Sequence, residues 1–267
     1  MAFTNGIVDK QLEEEIYLKQ KKIEGNPDYF VARKRVIVEG LRTLGNIHSF
    51  WIENPELRRE MLLERKQPKT LKKLARVGIH YVQNGWDYLH KKRENNSDNF
   101  INAFNEVILK KTNYLVEPKT GEIEIIGKKK TKKFRQKDVT LNIPYYTPMS
   151  WEKIPEKIGE LINSIKKRNS ENPLESAIMA HIGLVGIQPF MEGNKRTARL
   201  IQNRILHSAG FPPSVIPAGE GKFYFNLLRK VLPCYQEGDI QGQKQFYNYC
   251  ASKVNNNLDE ILGDLQP

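Results

Sequence analysis

Along most of the chain apolar residues recur with a period near 3.6, the spacing that lays one stripe along a helix. Residues 8–23 are charged, with Leu12, Ile16 and Leu18 spaced for one narrow apolar face. Residues 28–50 carry Val31, Val36, Val38, Leu41, Leu44 and Ile47, and helices are also predicted over 69–92, 98–112 and 151–168. Ser97 and Ser150 stand where N-caps belong for the last two. Between 113 and 147 the pattern changes. Tyr114-Leu115-Val116 and Ile123-Glu124-Ile125-Ile126 flank Glu117-Pro118-Lys119-Thr120-Gly121, which reads as a hairpin turn, and Val139 to Ile143 is a further strand candidate. From residue 172 the helical period returns, over 172–187, 194–209, 220–232 and 241–257, with Pro212-Pro213 and Pro233 as breaks. No internal repeat and no long linker interrupts this pattern. It describes one mostly helical unit with a small β insertion.

Composition narrows the class. With 267 residues, 39% hydrophobic and 28% charged, the chain can bury a sizeable core and is not wholly disordered. No apolar run approaches the roughly 18 residues of a membrane helix. The start, Met1-Ala2-Phe3-Thr4-Asn5-Gly6, turns acidic at Glu13-Glu14-Glu15, unlike a secretory signal. Cys234 and Cys250 are the only cysteines, so a disulfide scaffold is excluded and a reducing, cytoplasmic setting is expected. The net charge is +12, and Lys128 to Lys137 alone hold seven basic residues and no acidic one. That run is a solvated loop or an electrostatic collar for a phosphate ligand or acidic partner. Zinc-finger spacing and aromatic-studded RNA-binding patterns are missing, which argues against nucleic acid.

The informative stretch is Gln188-Pro189-Phe190-Met191-Glu192-Gly193-Asn194-Lys195-Arg196-Thr197-Ala198-Arg199. An apolar helix ends near a proline, a short loop follows, and a second helix opens with two arginines three apart. A loop feeding a helix N-terminus presents free N–H groups and the positive dipole end, which suits phosphate. Gly193 lets the backbone approach a ligand, Arg196 and Arg199 share a face that can clamp phosphate oxygens, and Glu192 can hold magnesium against them. The competing reading has Asn194 capping the helix and the arginines pairing with surface carboxylates.

These residues resemble the signature of the Fic family, His-x-Phe-x-Asp/Glu-Gly-Asn-Gly/Lys-Arg-x-x-Arg. The similarity continues through Asn172 to His181 upstream and through Ala209-Gly210-Phe211-Pro212-Pro213, Tyr224, Glu237-Gly238-Asp239 and Phe246 downstream, covering about residues 30–255. The resemblance implies an all-α helical bundle with a β-hairpin flap, with an N-terminal helical region over 1–60 and the Fic core over 61–267. It also implies transfer of AMP from ATP, with Mg2+, to a Ser, Thr or Tyr hydroxyl of a target protein. Glu192 would then take the metal, Gly193 and Asn194 the α-phosphate, and Arg196 and Arg199 the outer phosphates, with Lys195 and Tyr224 also at the nucleotide. A flap over 134–146, including Phe134, Arg135, Val139 and Thr140, would hold the target by strand addition. A second copy of the chain is a further candidate partner.

Two departures matter. Gln188 stands where the family has its general-base histidine, and an amide cannot take a proton near neutral pH. His181 lies two helical turns away and reads as a packing residue. The chain is thus either a naturally degenerate transferase, an enzyme disabled deliberately, or a binding pseudoenzyme. Lys195 replaces a frequent glycine. A kinase subgroup shares Asn-Lys-Arg but has alanine before it, so Gly193 favours AMP transfer. Many members also carry an inhibitory helix, Ser/Thr-x-x-x-Glu-Gly/Asn, whose glutamate occupies the second motif arginine. Arg35-Val36-Ile37-Val38-Glu39-Gly40 is similar apart from Arg35, which predicts a Glu39–Arg199 ion pair. Some braked members also remove AMP, so that reaction stands as a further alternative.

Overall fold

The computed structural model describes residues 6–28, 44–45, 47–49, 51–53, 55, 114–116, 123–125, 134–191 and 193–265. The expected helices over 69–92 and 98–112 and most of 28–50 lie outside these. Helix α1 (Lys10–Glu24) precedes a two-stranded antiparallel hairpin, β1 (Tyr114–Val116) and β2 (Ile123–Ile125), in which Tyr114 faces Ile125. Then come α2 (Ile154–Glu171), α3 (Pro173–Ile187), α4 (Asn194–Ser208), α5 (Gly221–Glu237) and α6 (Ile240–Asp264). The all-α expectation with one hairpin therefore holds among the described residues.

Helix α3 is the axis of the bundle. Only Pro173 and Met179 of it escape burial, and a helix apolar on every side belongs inside. It packs against α2, α4, α5 and α6, while α1 lies on α6. Asn172 opens α3, its side chain accepting the Glu175 N–H at 3.0 Å. Close approach to α2 and α5 depends on two glycines. A methyl group at Gly183 would lie 2.5 Å from Leu161 Cδ1, and one at Gly186 would lie 2.8 Å from Tyr235 Cδ1.

Several local expectations change. Leu18 is 69% exposed; the buried stripe of α1 is Glu13, Ile16, Gln20 and Ile23, because two residues on from Ile16 the helix has turned to its far side. Glu13 enters that stripe by accepting from the Asn172 side chain. Helix α5 runs through Pro233 to Glu237. The lost hydrogen bond is offset by the apolar face that continues past it, through Val231 and Leu232 to Tyr235 against α3. Ser150 makes no side-chain cap; Asp138 Oδ1 accepts the Trp151 N–H instead, at 2.9 Å. Val139 to Ile143 joins no sheet among the described residues. The Ile143 N–H turns back onto Leu141 O at 2.8 Å, and Pro144 and Tyr145 (φ 58°) then make a turn.

If this account of the bundle axis is right, Gly186→Ala lowers thermal stability by about 1–3 kcal/mol, the usual penalty for overpacking. An unchanged unfolding midpoint would show that Tyr235 can move aside freely.

Candidate functional site

The motif loop is built at the end of α3. Gln188 adopts the left-handed conformation (φ 51°, ψ 55°) and ends the helix. Its side-chain Nε2 donates to Val185 O at 2.7 Å, and its Oε1 accepts from Asn194 Nδ2 at 2.9 Å. Asn194 grips the loop from the other side. Its Oδ1 accepts the Phe190 N–H at 2.9 Å, and Nδ2 also donates to Phe190 O at 2.8 Å. The amide therefore shapes the loop and does not cap its own helix. Gly193 (φ 80°) makes the bend into α4, a conformation that side chains resist. From outside, Arg135 locks the same loop. Its side chain is buried, donating from Nε to Gln188 O at 2.9 Å, from Nη1 to Lys137 O at 2.8 Å and from Nη2 to Met149 O. Its own N–H bonds Pro189 O, and Phe134 packs on Phe190 with ring centroids 6.0 Å apart. Phe134 and Arg135 thus hold the loop, a use the target-binding expectation did not foresee. Thr140 is exposed and Val139 half-buried.

A cavity of about 890 Å³ opens over this loop. Gln188, Gly193, Asn194, Lys195 and Arg196 all line it, together with Glu53. Segment 141–143 and α5, through Lys222, Phe225 and Arg229, complete the walls. The first turn of α4, whose N–H groups precede its intrahelical bonds, contributes the positive end of the dipole. Glu192, the expected metal ligand, lies outside the described residues.

Arg199 sits behind the cavity wall, 4% exposed, and is almost fully engaged. Nε donates to Ser49 Oγ at 2.9 Å, Nη2 to Ser49 O at 3.0 Å and to Glu53 Oε1 at 2.9 Å, and Nη1 to the Tyr224 hydroxyl at 3.3 Å. The other Glu53 oxygen lies 3.4 Å from Lys195 Nζ, which also stands 4.9 Å from the centre of the Phe225 ring. Burial pushes the Glu53 carboxyl up, but Arg199, Lys195 and Arg196 outweigh it and hold its pKa below the ordinary range. Glu39 and Gly40, on which the expected contact falls, lie outside the described residues, and among the described residues a different carboxylate is seated on Arg199. That carboxylate is Glu53. Ser49-Phe50-Trp51-Ile52-Glu53-Asn54 carries the same Ser/Thr-x-x-x-Glu-Gly/Asn spacing, with serine at its head, and this was the available signal. His48 helps hold the segment, its Nδ1 accepting the Ala218 N–H at 3.2 Å.

Tyr224 is fully buried behind Arg199 and is not among the residues that line the cavity. His181 is a core residue, bonded to Tyr224 and Gln202, and burial drives its pKa down to about 3. It is no replacement base.

A family model described as "Fic/DOC family" matches residues 100–206. Residues 100–206 are thus Fic/DOC-like in sequence. Over 99 residues it is 39% identical to a protein of Drosophila grimshawi named "Protein adenylyltransferase Fic", a match covering 37% of this chain and 20% of that protein. A Drosophila melanogaster protein of the same name is 39% identical over 83 residues, 31% of this chain and 16% of its own length. The chain spans about a fifth of the length of the curated relatives it matches. Among solved structures, Fic-1 of C. elegans superposes with a TM-score of 0.69 at 19% identity, covering 96% of this chain and 72% of its own. A Fic-domain signalling protein of Bacteroides thetaiotaomicron gives 0.64 at 16% identity, covering 95% and 97%. At such identities the superpositions speak for the Fic fold. Among the described residues no helix is long and apolar enough to cross a membrane.

The depressed Glu53 pKa fixes a pH signature. A carboxyl titrating lower in the fold than in the unfolded chain adds stability above its unfolded pKa, near 4.5, and loses it as pH falls through the folded value. Glu53→Gln is therefore expected to lose about 1–3 kcal/mol at pH 7 and to converge on the parent in strong acid. Denaturant titrations at pH 7 and pH 3 check this, and parallel curves would exclude it.

Proposed function

We propose that this chain is a Fic-type protein adenylyltransferase scaffold in a self-braked form, with its proton-transfer step impaired. The observation that carries the reading is Glu53 seated on Arg199 beside the motif loop. A carboxylate there occupies the place of an anion, which is what an outer phosphate of ATP would be. In the forward reaction a target hydroxyl oxygen bonds to the α-phosphorus, the α–β bridging P–O bond breaks, and pyrophosphate leaves. The hydroxyl proton must go to a base.

The residues suit every part but the last. The start of α4 and Gly193 offer N–H groups and dipole to the α-phosphate, while Arg196 and Arg199 take the outer phosphates once Glu53 yields. Phosphoryl-type transfer is largely positioning and charge stabilisation, so these are the larger contributions. Magnesium would neutralise phosphate charge, with Glu192 as its protein ligand. Among the described residues no group of three or more His, Cys, Asp or Glu is placed to hold a metal ion. Magnesium takes one or two carboxylates and fills its shell with phosphate oxygens and water, so a single protein carboxylate would serve. Gln188 fills the base position with an amide whose oxygen and nitrogen are both already engaged. This favours a second reading, a nucleotide-binding pseudoenzyme.

The comparison that separates them uses α-labelled ATP, magnesium and a cell lysate, with Glu53→Gly present in every sample. Restoring the base by Gln188→His is expected to raise label transfer about 10²–10⁴-fold over the parent loop. Equal transfer from both would show that Gln188 suffices. No transfer from either would favour the pseudoenzyme.

A further inference from the structure

Arg199 has partners of two kinds. Ser49 and Glu53 belong to the segment that occupies the site. The Tyr224 hydroxyl, 3.3 Å from Nη1, belongs to the bundle. If Glu53 yields to a phosphate, the hydrogen bonds to segment 49–53 are lost or weakened, and only Tyr224 remains.

Behind Tyr224 stands a buried chain whose proton order can be deduced. A guanidinium only donates, so the Tyr224 oxygen accepts from Arg199. Its own proton then needs an acceptor, and His181 Nε2 lies 2.8 Å away. Nε2 must therefore be bare, which puts the ring proton on Nδ1. That proton meets Gln202 Oε1. Tyr224 and His181 have no solvent exposure and Gln202 is 1% exposed, so bulk water does not reach them. The opposite tautomer would leave the Tyr224 proton without a recipient, a deficit costing about 1–3 kcal/mol in a dry interior. Burial keeps His181 neutral, with its pKa near 3, so the order does not reverse in the physiological range.

We infer that Tyr224, backed by His181 and Gln202, is a positioning residue that keeps Arg199 aimed at the outer phosphate once segment 49–53 withdraws. The chain makes the Tyr224 oxygen a fixed acceptor, so the guanidinium is oriented before any ligand arrives. This deepens the nucleotide reading above and rests on it only where phosphate is concerned. It also gives the buried histidine a task other than catalysis.

The test uses Ser49→Ala/Glu53→Gly protein, which lacks both side-chain holds of the segment, with and without Tyr224→Phe. The phenyl ring keeps the packing against Arg199, whose Cζ lies 5.4 Å from the ring centre, and removes only the hydroxyl. Calorimetry with ATP and ADP is expected to show ATP affinity falling about tenfold in the Phe form, the worth of a hydrogen bond to a charged group, with ADP little changed. Nitrogen-15 spectra of the arginine side chains, without nucleotide, should show Arg199 losing order in the same variant. An ordered Arg199 and an unchanged ATP-to-ADP ratio would overturn the inference. Should neither nucleotide bind, the adenylyltransferase reading fails and the Arg199 spectra alone decide this one. Independently of any variant, His181 in the unmutated protein must carry its proton on Nδ1; an Nε2–H tautomer overturns the chain order.

Discussion

A guanidinium removed from water must find acceptors inside the protein, and that requirement organises the region around Arg199. Its donors reach Ser49 and Glu53 from the N-terminal side and Tyr224 from α5. An unpaired buried cation is costly, so an anionic partner on Arg199 stabilises the bundle. Glu53 meets that demand from within the chain. On the proposed function, competition between an internal carboxylate and an external phosphate would follow directly from burying the arginine.

The motif loop solves a different problem. Six residues must leave one helix, turn, and begin another with exposed N–H groups. Gln188 in the left-handed conformation and Gly193 provide the two bends, at a strain of about 1–2 kcal/mol for the glutamine. Asn194 ties the loop across its mouth, and Arg135 holds it from behind through backbone carbonyls. The glutamine side chain is well suited to this framework, since it both donates to Val185 and accepts from Asn194. What it supplies to the loop's geometry is separate from the proton acceptance it lacks.

Much of this was legible in the chain. The 3.6-residue period located α1 and the run from α2 to α6, although the stripe that α1 buries is half polar and α3 is buried on nearly every side. The motif placed Gly193, Lys195 and Arg196 at one cavity, because adjacent residues on a loop and helix start cannot lie far apart. Tertiary contacts were harder. Arg135 reads as one member of a basic run, and only packing reveals that it is buried among carbonyls. Pro233 reads as a break, yet the packing of Tyr235 on Gly186 outweighs one missing hydrogen bond. Glu53 is hard to pick from the sequence because two segments offer a similar Glu-Gly/Asn pattern. The serine at the head of the second distinguishes them, and the structure shows that serine on Arg199.

The occupied arginine also governs how binding would register in a heat-denaturation screen. An anion that displaces Glu53 gives up one native contact to form another. The rise in melting temperature then reports the difference between the two, not the full strength of the new one. A modest thermal shift from such a protein is compatible with a strong intrinsic pocket, so screens of the parent chain undercount its ligands. Removing the internal competitor lowers the starting temperature and widens the response.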